Sequence, residues 1–447
     1  VSFLASDALE GRGTPSRGLD IAAEFIAAQF RRAGLDPAGD DGYFQTAPFV
    51  SVTPNTDGLE LTLETGGQSI RAERGSISLQ EAAPVALDQA PVVAVTVSNA
   101  AALGGLTAQQ VKGKALLLAI PAGTPSSVIR GIPAATGRLG PAVVIMVRAN
   151  GPAPSPNARV RDASAPASRI PILTVSDPAI RKAVSTGAPV TVSVHVPAPV
   201  TAPVKVRNVV GVLRGSDAAL KDTDVVVSAH YDHLGVRGSG PGDHIYNGAN
   251  DDASGTASVI EIANALAALP RPKRSIVFVA FFGEELGELG SQYYVRHPVF
   301  PLSRTVADIN LEQLGRTDDS QGPHVGMFNL TGFDFTDIAG VLAKAAAEAR
   351  IRVVNDQADS GEYFSASDNY AFSVAGVPST TLSVSYVFPD YHRSGDEWPK
   401  LDYENMAKVD RAIALGIETM ANSAVEPKWN AANPEVEKFM KARGVSR

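Results

Sequence analysis

The sequence contains no cysteine, so neither a disulfide nor a thiolate-held metal is possible, and a bound cation would have to be taken by His, Asp or Glu. Basic residues are in the minority: 39 Lys and Arg stand against 47 Asp and Glu, for a formal charge of −8. No basic cluster of the kind that phosphate binding needs is present, which argues against a nucleic-acid partner. No apolar run is long enough to span a bilayer, so no membrane span is expected. The chain opens on Val1 rather than Met and shows no signal peptide, which fits a soluble domain whose leader has been removed, with a secreted or periplasmic location. At 447 residues it is long for one domain, so two packed units, or one large unit carrying an insert, are expected.

What is present falls into three regions. Residues 17–33 place Ile21, Phe25, Ile26 and Phe30 at helical spacing, and Gly34 is positioned to end that helix. From 70 to 200 Pro, Ala, Gly, Ser and Val dominate, and short apolar runs such as "KALLLAI", "AVVIMV", "IPILTV" and "VTVSVHV" sit between turn residues, as in a small β-rich unit. Beyond it "NVVGVLRG", "DVVVSAH", "SIVFVAFF" and "TVADINLE" alternate with helical stretches, one placing Val259, Ile262, Ala263, Leu266 and Leu269 on one face and a last one, 403–422, packing Met406, Val409, Ile413, Ile417 and Met420. This alternation predicts an α/β fold, a mostly parallel mixed sheet flanked by helices, with the small β-rich unit inserted. The parts are 1–69 and 201–447 for the main domain and 70–200 for the insert.

Ligand sites in such sheets lie beyond the carboxyl ends of the strands. The residues found there are His230 with Asp232 after the second run, Glu284 and Glu285 after the third, and Glu312 after the fourth; Asp251 in "YNGANDDASG" and His392 in "PDYHRSGDEW" complete the set. Taken singly each has a plainer reading. Asp251 and Asp252 before a helix suit N-caps, paired Glu at a turn suit solvent, and a lone His at a strand end suits a structural hydrogen bond. Together, two imidazoles and several carboxylates at one sheet edge form a donor set suited to zinc. The adjacent carboxylates Glu284 and Glu285 also call for a compensating cation.

The segments "SAHYDHLG", "YNGANDDASG", "FFGEELGELGS", "INLEQLGR" and "YHRSGDEWPKLDY", with "LASDALEGRGTPSRGLDIAAEFI" near the start, resemble the dizinc aminopeptidase family, which includes glutamate carboxypeptidase, glutaminyl cyclase and the inactive transferrin receptor ectodomain. The insert is similar to a protease-associated domain through "VKGKALLL" and "IPILTVS". The resemblance implies a zinc exopeptidase fold and two zinc ions per chain: His230 and Glu312 on one, Glu285 and His392 on the other, Asp251 bridging. It makes Glu284 the general base, Asp232 a support for His230, Tyr391 a donor to the developing oxyanion, and Asp396 a possible support for His392. Glu312 departs from the Asp usual in the family, and Asp308, four residues earlier, lies too far back to replace it. Asp368 falls where the family has Ser-Asp-His, but Asn369 replaces the His, so it is read as a loop or cap residue. His195, His233, His244, His297 and His324 have no matched role, although His233 and His244 are near enough in sequence to line the cleft.

The implied activity is removal of the N-terminal residue from peptides with a free amino terminus. A carboxypeptidase or dipeptidase using the same metals, with Arg393 as its cation, is the alternative among hydrolases. A binding ectodomain with a decayed site is the alternative outside enzymes.

Overall fold

The computed structural model describes residues 1–81, 83–149, 159–165, 170–188, 190–355, 360–361 and 363–444. The chain divides into two compact units, Val1–Pro48 with Lys205–Arg447, and Phe49–Val204. Residues 49–69, grouped above with the main domain, therefore lie in the second unit. Their strands Glu60–Thr65 and Gln68–Arg71 pair with each other and, through Glu60–Thr65, with Val190–Val196, so pairing partners rather than composition fix the boundary.

In the first unit α1 (Arg17–Ala33) is capped at both ends as its sequence dictates. Ser16 Oγ accepts the Leu19 N–H, and Gly34, at φ 82°, turns its N–H back to the carbonyls of Arg31 and Phe30. The buried face is Leu19, Ala22, Ala23, Ile26, Ala27 and Phe30. Ile21 and Phe25, predicted on that face, sit at its margin and are half-buried; Phe25 packs on Phe3, 4.5 Å between ring centroids.

The sheet of this unit includes β1 (Phe44–Thr53), of which Phe44–Pro48 belong to this unit, β2 (Val200–Leu213), of which Lys205–Leu213 do, β3 (Asp224–His230), β4 (Ser275–Phe281), β5 (Thr305–Leu311), β6 (Met327–Leu330), β7 (Arg352–Val354) and β8 (Ser379–Ser383). These strands are ordered β7-β6-β8-β5-β3-β4-β2-β1. The four central strands β4, β3, β5 and β8 are parallel, and β2 and β6 border them antiparallel. Every residue of β3, β4, β5 and β8 is buried, which is why they read as continuous apolar runs rather than alternating ones.

The covering helices include α2 (Gly255–Ala267), α3 (Leu289–Arg296), α4 (Asn369–Val374) and α5 (Tyr403–Asn422). α5 buries the five residues its spacing predicts. In α2 the helix stops at Ala267, so Leu269, expected on its apolar face, is left exposed beyond the end. Among the described residues no helix is long and apolar enough to cross a membrane.

The second unit holds an eight-stranded sheet. Within it Val85–Thr96, Ala115–Ala119, Val143–Val147 and Ile172–Val175 run parallel and the other strands pair antiparallel. Leu117, Ile145, Leu173 and Val192 pack on one side of this sheet and Leu116, Leu118, Val144 and Met146 on the other.

Candidate metal centre

The four parallel strands of the first unit deliver their last residues to one edge, and the side chains singled out in the sequence gather there. His230 ends β3 and is fully buried. Its Nδ1–H donates to the carbonyl of Asp232 at 3.3 Å, which leaves Nε2 as the free lone pair. Nε2 lies 3.3 Å from Asp251 Oδ1 and 3.9 Å from Glu284 Oε2. The other oxygen of Asp251 faces a second imidazole, 3.1 Å from His392 Nε2, which in turn is 3.4 Å from Glu285 Oε2. Asp251 thus divides its two oxygens between two imidazoles.

Asp252 does something different. Its Oδ1 accepts the N–H groups of Gly255, at the start of α2, and of Gln313, at 2.9 and 3.0 Å. The capping role that suited either aspartate therefore belongs to Asp252, and Asp251 turns away from the helix. Gly248, just upstream, has φ 56°, and a Cβ there would come within 2.4 Å of the His233 ring, so the loop needs glycine for both conformation and space.

His233, left without a role by the sequence, belongs to this cluster. It is buried, with Nδ1 2.7 Å from Glu285 Oε1 and 3.9 Å from Asp251 Oδ2. Two trios, His230–Asp251–Glu312 and His233–Asp251–Glu285, each bring one donor atom per residue to within 4.8 Å of the others, and Asp251 is common to both. His230 Nε2, both ring nitrogens of His233, Asp251 Oδ2 and Glu285 Oε1 are buried and make no well-formed hydrogen bond. Buried polar atoms are rarely left so. Orphaned lone pairs on a neutral-capable imidazole set and carboxylates fit a pair of divalent cations.

The supporting residues are arranged partly as expected. The Asp232 carboxylate stands 3.6 Å from His230 Nδ1 but takes its hydrogen bonds from the Glu284 N–H at 3.0 Å and the Thr14 hydroxyl at 3.2 Å, tying β3 to the turn that carries the paired glutamates. Asp396 does not support His392. It accepts the N–H groups of Asn250 and Asp251 at 3.0 Å and so fixes the Asp251 loop. The Gln313 amide donates to Glu312 at 3.2 Å, and Ser367 also hydrogen-bonds to that carboxylate. Asp308 lies inside the sheet, hydrogen-bonded by Ser228 at 2.8 Å, and does not join the cluster. Tyr391 stacks on His392 with 4.0 Å between centroids and feels the charges of Asp251, Glu312, Glu285 and Glu284. His244 is on an exposed loop, its ring nitrogen bound to the Gly240 carbonyl, and is not part of the site. Arg393 is exposed.

Arg12 is the other residue without a sequence-based role. It is fully buried and donates to the carbonyls of Tyr231, Asn247 and Gly248 at 2.8, 2.7 and 2.9 Å, and to that of Leu4. Burial lowers it to about 10, against the opposing pull of Asp232, Asp396, Asp252 and Asp251, so it remains a cation beneath the acidic loop.

The electrostatics follow from crowding. Burial first, then Glu312, Asp368 and Glu285, raise Glu284 well above the usual carboxylate range against the pull of His230. Asp251 is held below that range by His230, His233 and His392, although burial acts the other way. Burial pushes Asp396 up to about 6.

Residues 208–417 match Peptidase family M28. The aminopeptidase YwaD of Bacillus subtilis (strain 168) is 27% identical over 244 residues, covering 53% of this chain and 48% of that protein. A probable zinc metalloprotease of Pyrenophora tritici-repentis (strain Pt-1C-BFP) is 31% identical over 207 residues, 45% of this chain and 44% of the relative. The chain thus spans about half the length of the curated relatives it matches. Among solved structures, an aminopeptidase from Aneurinibacillus sp. strain AM-1 superposes with a TM-score of 0.58 at 20% identity, covering 94% of this chain and 93% of that one, which establishes the shared fold. The matched stretch contains every strand of the parallel core and all the residues of the two trios.

Proposed function

We propose that the chain is a zinc-dependent aminopeptidase that removes the N-terminal residue of peptides. The observation that carries this is the pair of donor trios joined through Asp251, with Glu284 beside them. His230 and Glu312 would hold one zinc ion, Glu285 with His392 the other, with Asp251 shared; His233 is placed to serve the second position as well. When bound, zinc supplies Lewis acidity to the scissile carbonyl and to water.

The chain's own residues do the rest. Glu284 Oε2, 3.9 Å from His230 Nε2, takes the proton of the attacking water and returns it to the leaving amine. Its N–H is fixed to Asp232, which also sits against His230, so base and ligand are held by one carboxylate. Tyr391, stacked on His392, directs its hydroxyl toward the oxyanion that develops as water adds. The substrate's ammonium group is attracted by the same carboxylates; among the described residues Arg12 is the buried cation beneath them, and it is committed to backbone carbonyls. A carboxypeptidase would need a cation facing the cleft, and exposed Arg393 forms no such contact among the described hydrogen bonds and ion pairs. The second unit is read as a protease-associated insert, and the protein as secreted or periplasmic.

The test compares aminoacyl anilides and peptides carrying a free or an acetylated amino terminus. Hydrolysis of the free forms alone is expected; turnover of N-blocked peptides with a free carboxylate, lost in Arg393→Ala, would establish the carboxypeptidase reading instead.

A further inference from the structure

The second metal position draws its ligands from segments far apart in the sequence. Asp251 comes from the loop before α2 and His392 from the loop that joins β8 to α5, with Asp251 Oδ2 and His392 Nε2 3.1 Å apart. His392 is the more exposed, at 38% of its side chain against 3% for Asp251. The ends of its loop are pinned: the Val387 N–H donates to Asp319 Oδ2 at 3.0 Å, and the Asp402 N–H to the Gly315 carbonyl at 2.8 Å. Between them lies the apex, residues 388–395, which carries Tyr391 and His392. Among the described residues, Asp390 is the one apex side chain besides His392 that hydrogen-bonds or ion-pairs beyond the apex. Its Oδ2 accepts from Arg316 Nη1 and from Lys400 Nζ, both at 2.9 Å, and a Cβ on Gly395 would come within 2.6 Å of its Oδ1, so the apex folds closely around this carboxylate.

Arg316 registers this apex against the Asp251 loop. Its backbone N–H donates to Asn250 Oδ1 at 2.9 Å, beside that of Gly315 at 2.8 Å, on the residue just before Asp251. Its buried side chain divides its donors. Nε and Nη2 form a bidentate pair with the Asp318 carboxylate at 2.7 and 2.6 Å, which fixes the plane of the guanidinium and aims Nη1 at Asp390. Phe388, at the start of the apex, has its ring centroid 5.3 Å from the guanidinium carbon. One residue therefore holds the loop of the shared aspartate by its main chain and the loop of His392 by its side chain. A lysine could not do both, because a point ammonium has no planar fork to spread over Asp318 and Asp390.

We propose that Arg316, acting through Asp390, is the positioning residue of the second metal position: it sets the separation of Asp251 and His392 and, with it, the place of Tyr391, which stacks on His392. The inference rests on the zinc aminopeptidase reading above and specifies which residues outside the donor set assemble that half of the centre. Neither Arg316 nor Asp390 belongs to a donor trio. His230 and Glu312 are carried at the ends of β3 and β5, and Asp390 touches neither, so the effect of the clamp is selective for one ion.

The experiment titrates the full chain with zinc against a competing chelator, for the wild type, Asp390→Asn, Arg316→Lys and the double variant, with His392→Ala showing by its own loss which ion occupies the second position. Asp390→Asn and Arg316→Lys should each weaken that ion by about 10- to 100-fold and leave the other unchanged, as for residues that orient a ligand without touching the metal. The double variant should bind no more weakly than the worse single one, because both substitutions remove the same contact. With 22% of its side chain exposed, Asp390 tolerates Asn, and Asp390→Asn carries the comparison alone if Arg316→Lys does not fold. Unchanged affinity for both ions, whether or not Tm falls, equal weakening of both, losses that add in the double variant, or no selective loss in His392→Ala overturns the inference. The affinities are read without turnover. If zinc binds but no free-amino substrate is hydrolysed, the aminopeptidase reading fails and the inference is still decided by the affinities; a wild type that takes up no zinc overturns both.

Discussion

Arg12 offers the sharpest test of how the acidic loop is held. One guanidinium donates to four backbone carbonyls, those of Leu4, Tyr231, Asn247 and Gly248, and so ties the N-terminal segment to the residue before Asp232 and to the loop that leads into Asp251. A lysine at this position keeps the charge that Asp232, Asp396, Asp252 and Asp251 require, but a point ammonium cannot reproduce a planar fork with donors on three nitrogens. Two of the four bonds should survive. Each charge-assisted bond is worth about 1.5–3 kcal/mol, and because the four share one group their losses do not simply add, so Arg12→Lys should cost about 2–4 kcal/mol.

That loss lies within a total stability of about 5–15 kcal/mol, so the variant should fold, with Tm lower by about 4–12 °C. The consequence for the centre is larger than for the fold. Because the carbonyls that move are those of Asn247 and Gly248, zinc affinity should fall by about 10- to 100-fold, as for other residues that orient ligands without touching the metal. Chemical denaturation and zinc titration against a competing chelator measure the two effects. A variant that unfolds at the same midpoint and binds zinc equally would show that Arg12 only fills space.

Three further predictions concern the centre and the core. Glu284→Gln should keep its zinc by elemental analysis while kcat falls by about 10²- to 10⁴-fold; loss of metal instead would mean that Glu284 and Glu285 had exchanged roles. Chelation should lower Tm, since zinc at a hundred times its Kd contributes about 2.7 kcal/mol per site, and Asp251→Asn should abolish the difference between chelated and zinc-loaded protein; an unchanged Tm in the wild type refutes the centre. Asp410 in α5 is raised to about 7 by burial, with Ser258 opposing. A carboxyl raised in the folded state is tolerated while protonated and destabilises the fold as pH climbs from the unfolded value through about 7, so Asp410→Asn should gain about 2–4 kcal/mol at pH 8 over wild type and much less at pH 4. An equal gain at both pH values would place the effect in packing.

The strands were legible because burial on both faces leaves no room for alternation: "DVVVSAH" is β3 residue for residue, and "SIVFVAFF" overruns β4 by one. The helix faces were legible where large apolar residues lie at the centre of the stripe, as in α5. In α1 alanines occupy that centre, so the larger Ile21 and Phe25 drew attention to its margin. The boundary of the second unit was hidden because Glu60–Thr65 is an ordinary alternating strand whose partner, Val190–Val196, lies far along the chain.

The candidate site was legible as a set of strand ends but not as directions. Asp251 and Asp252 are equivalent on paper, and only the donors they meet separate them: two peptide N–H groups for Asp252, two imidazoles for Asp251. His233 follows His230 in a non-repetitive turn, where no periodicity says which way a side chain faces; the local signal was Asn247-Gly248, a glycine that leaves the His233 ring its space. Arg12 and Asp368 could not be assigned because their meaning depends on what they touch. The guanidinium finds four carbonyls, and the carboxylate is hydrogen-bonded by Ser291. Arg12 serves to hold the loop through backbone carbonyls, whereas Asp368 is a fully buried acid that meets a neighbouring hydroxyl, and neither set of partners can be read from sequence spacing.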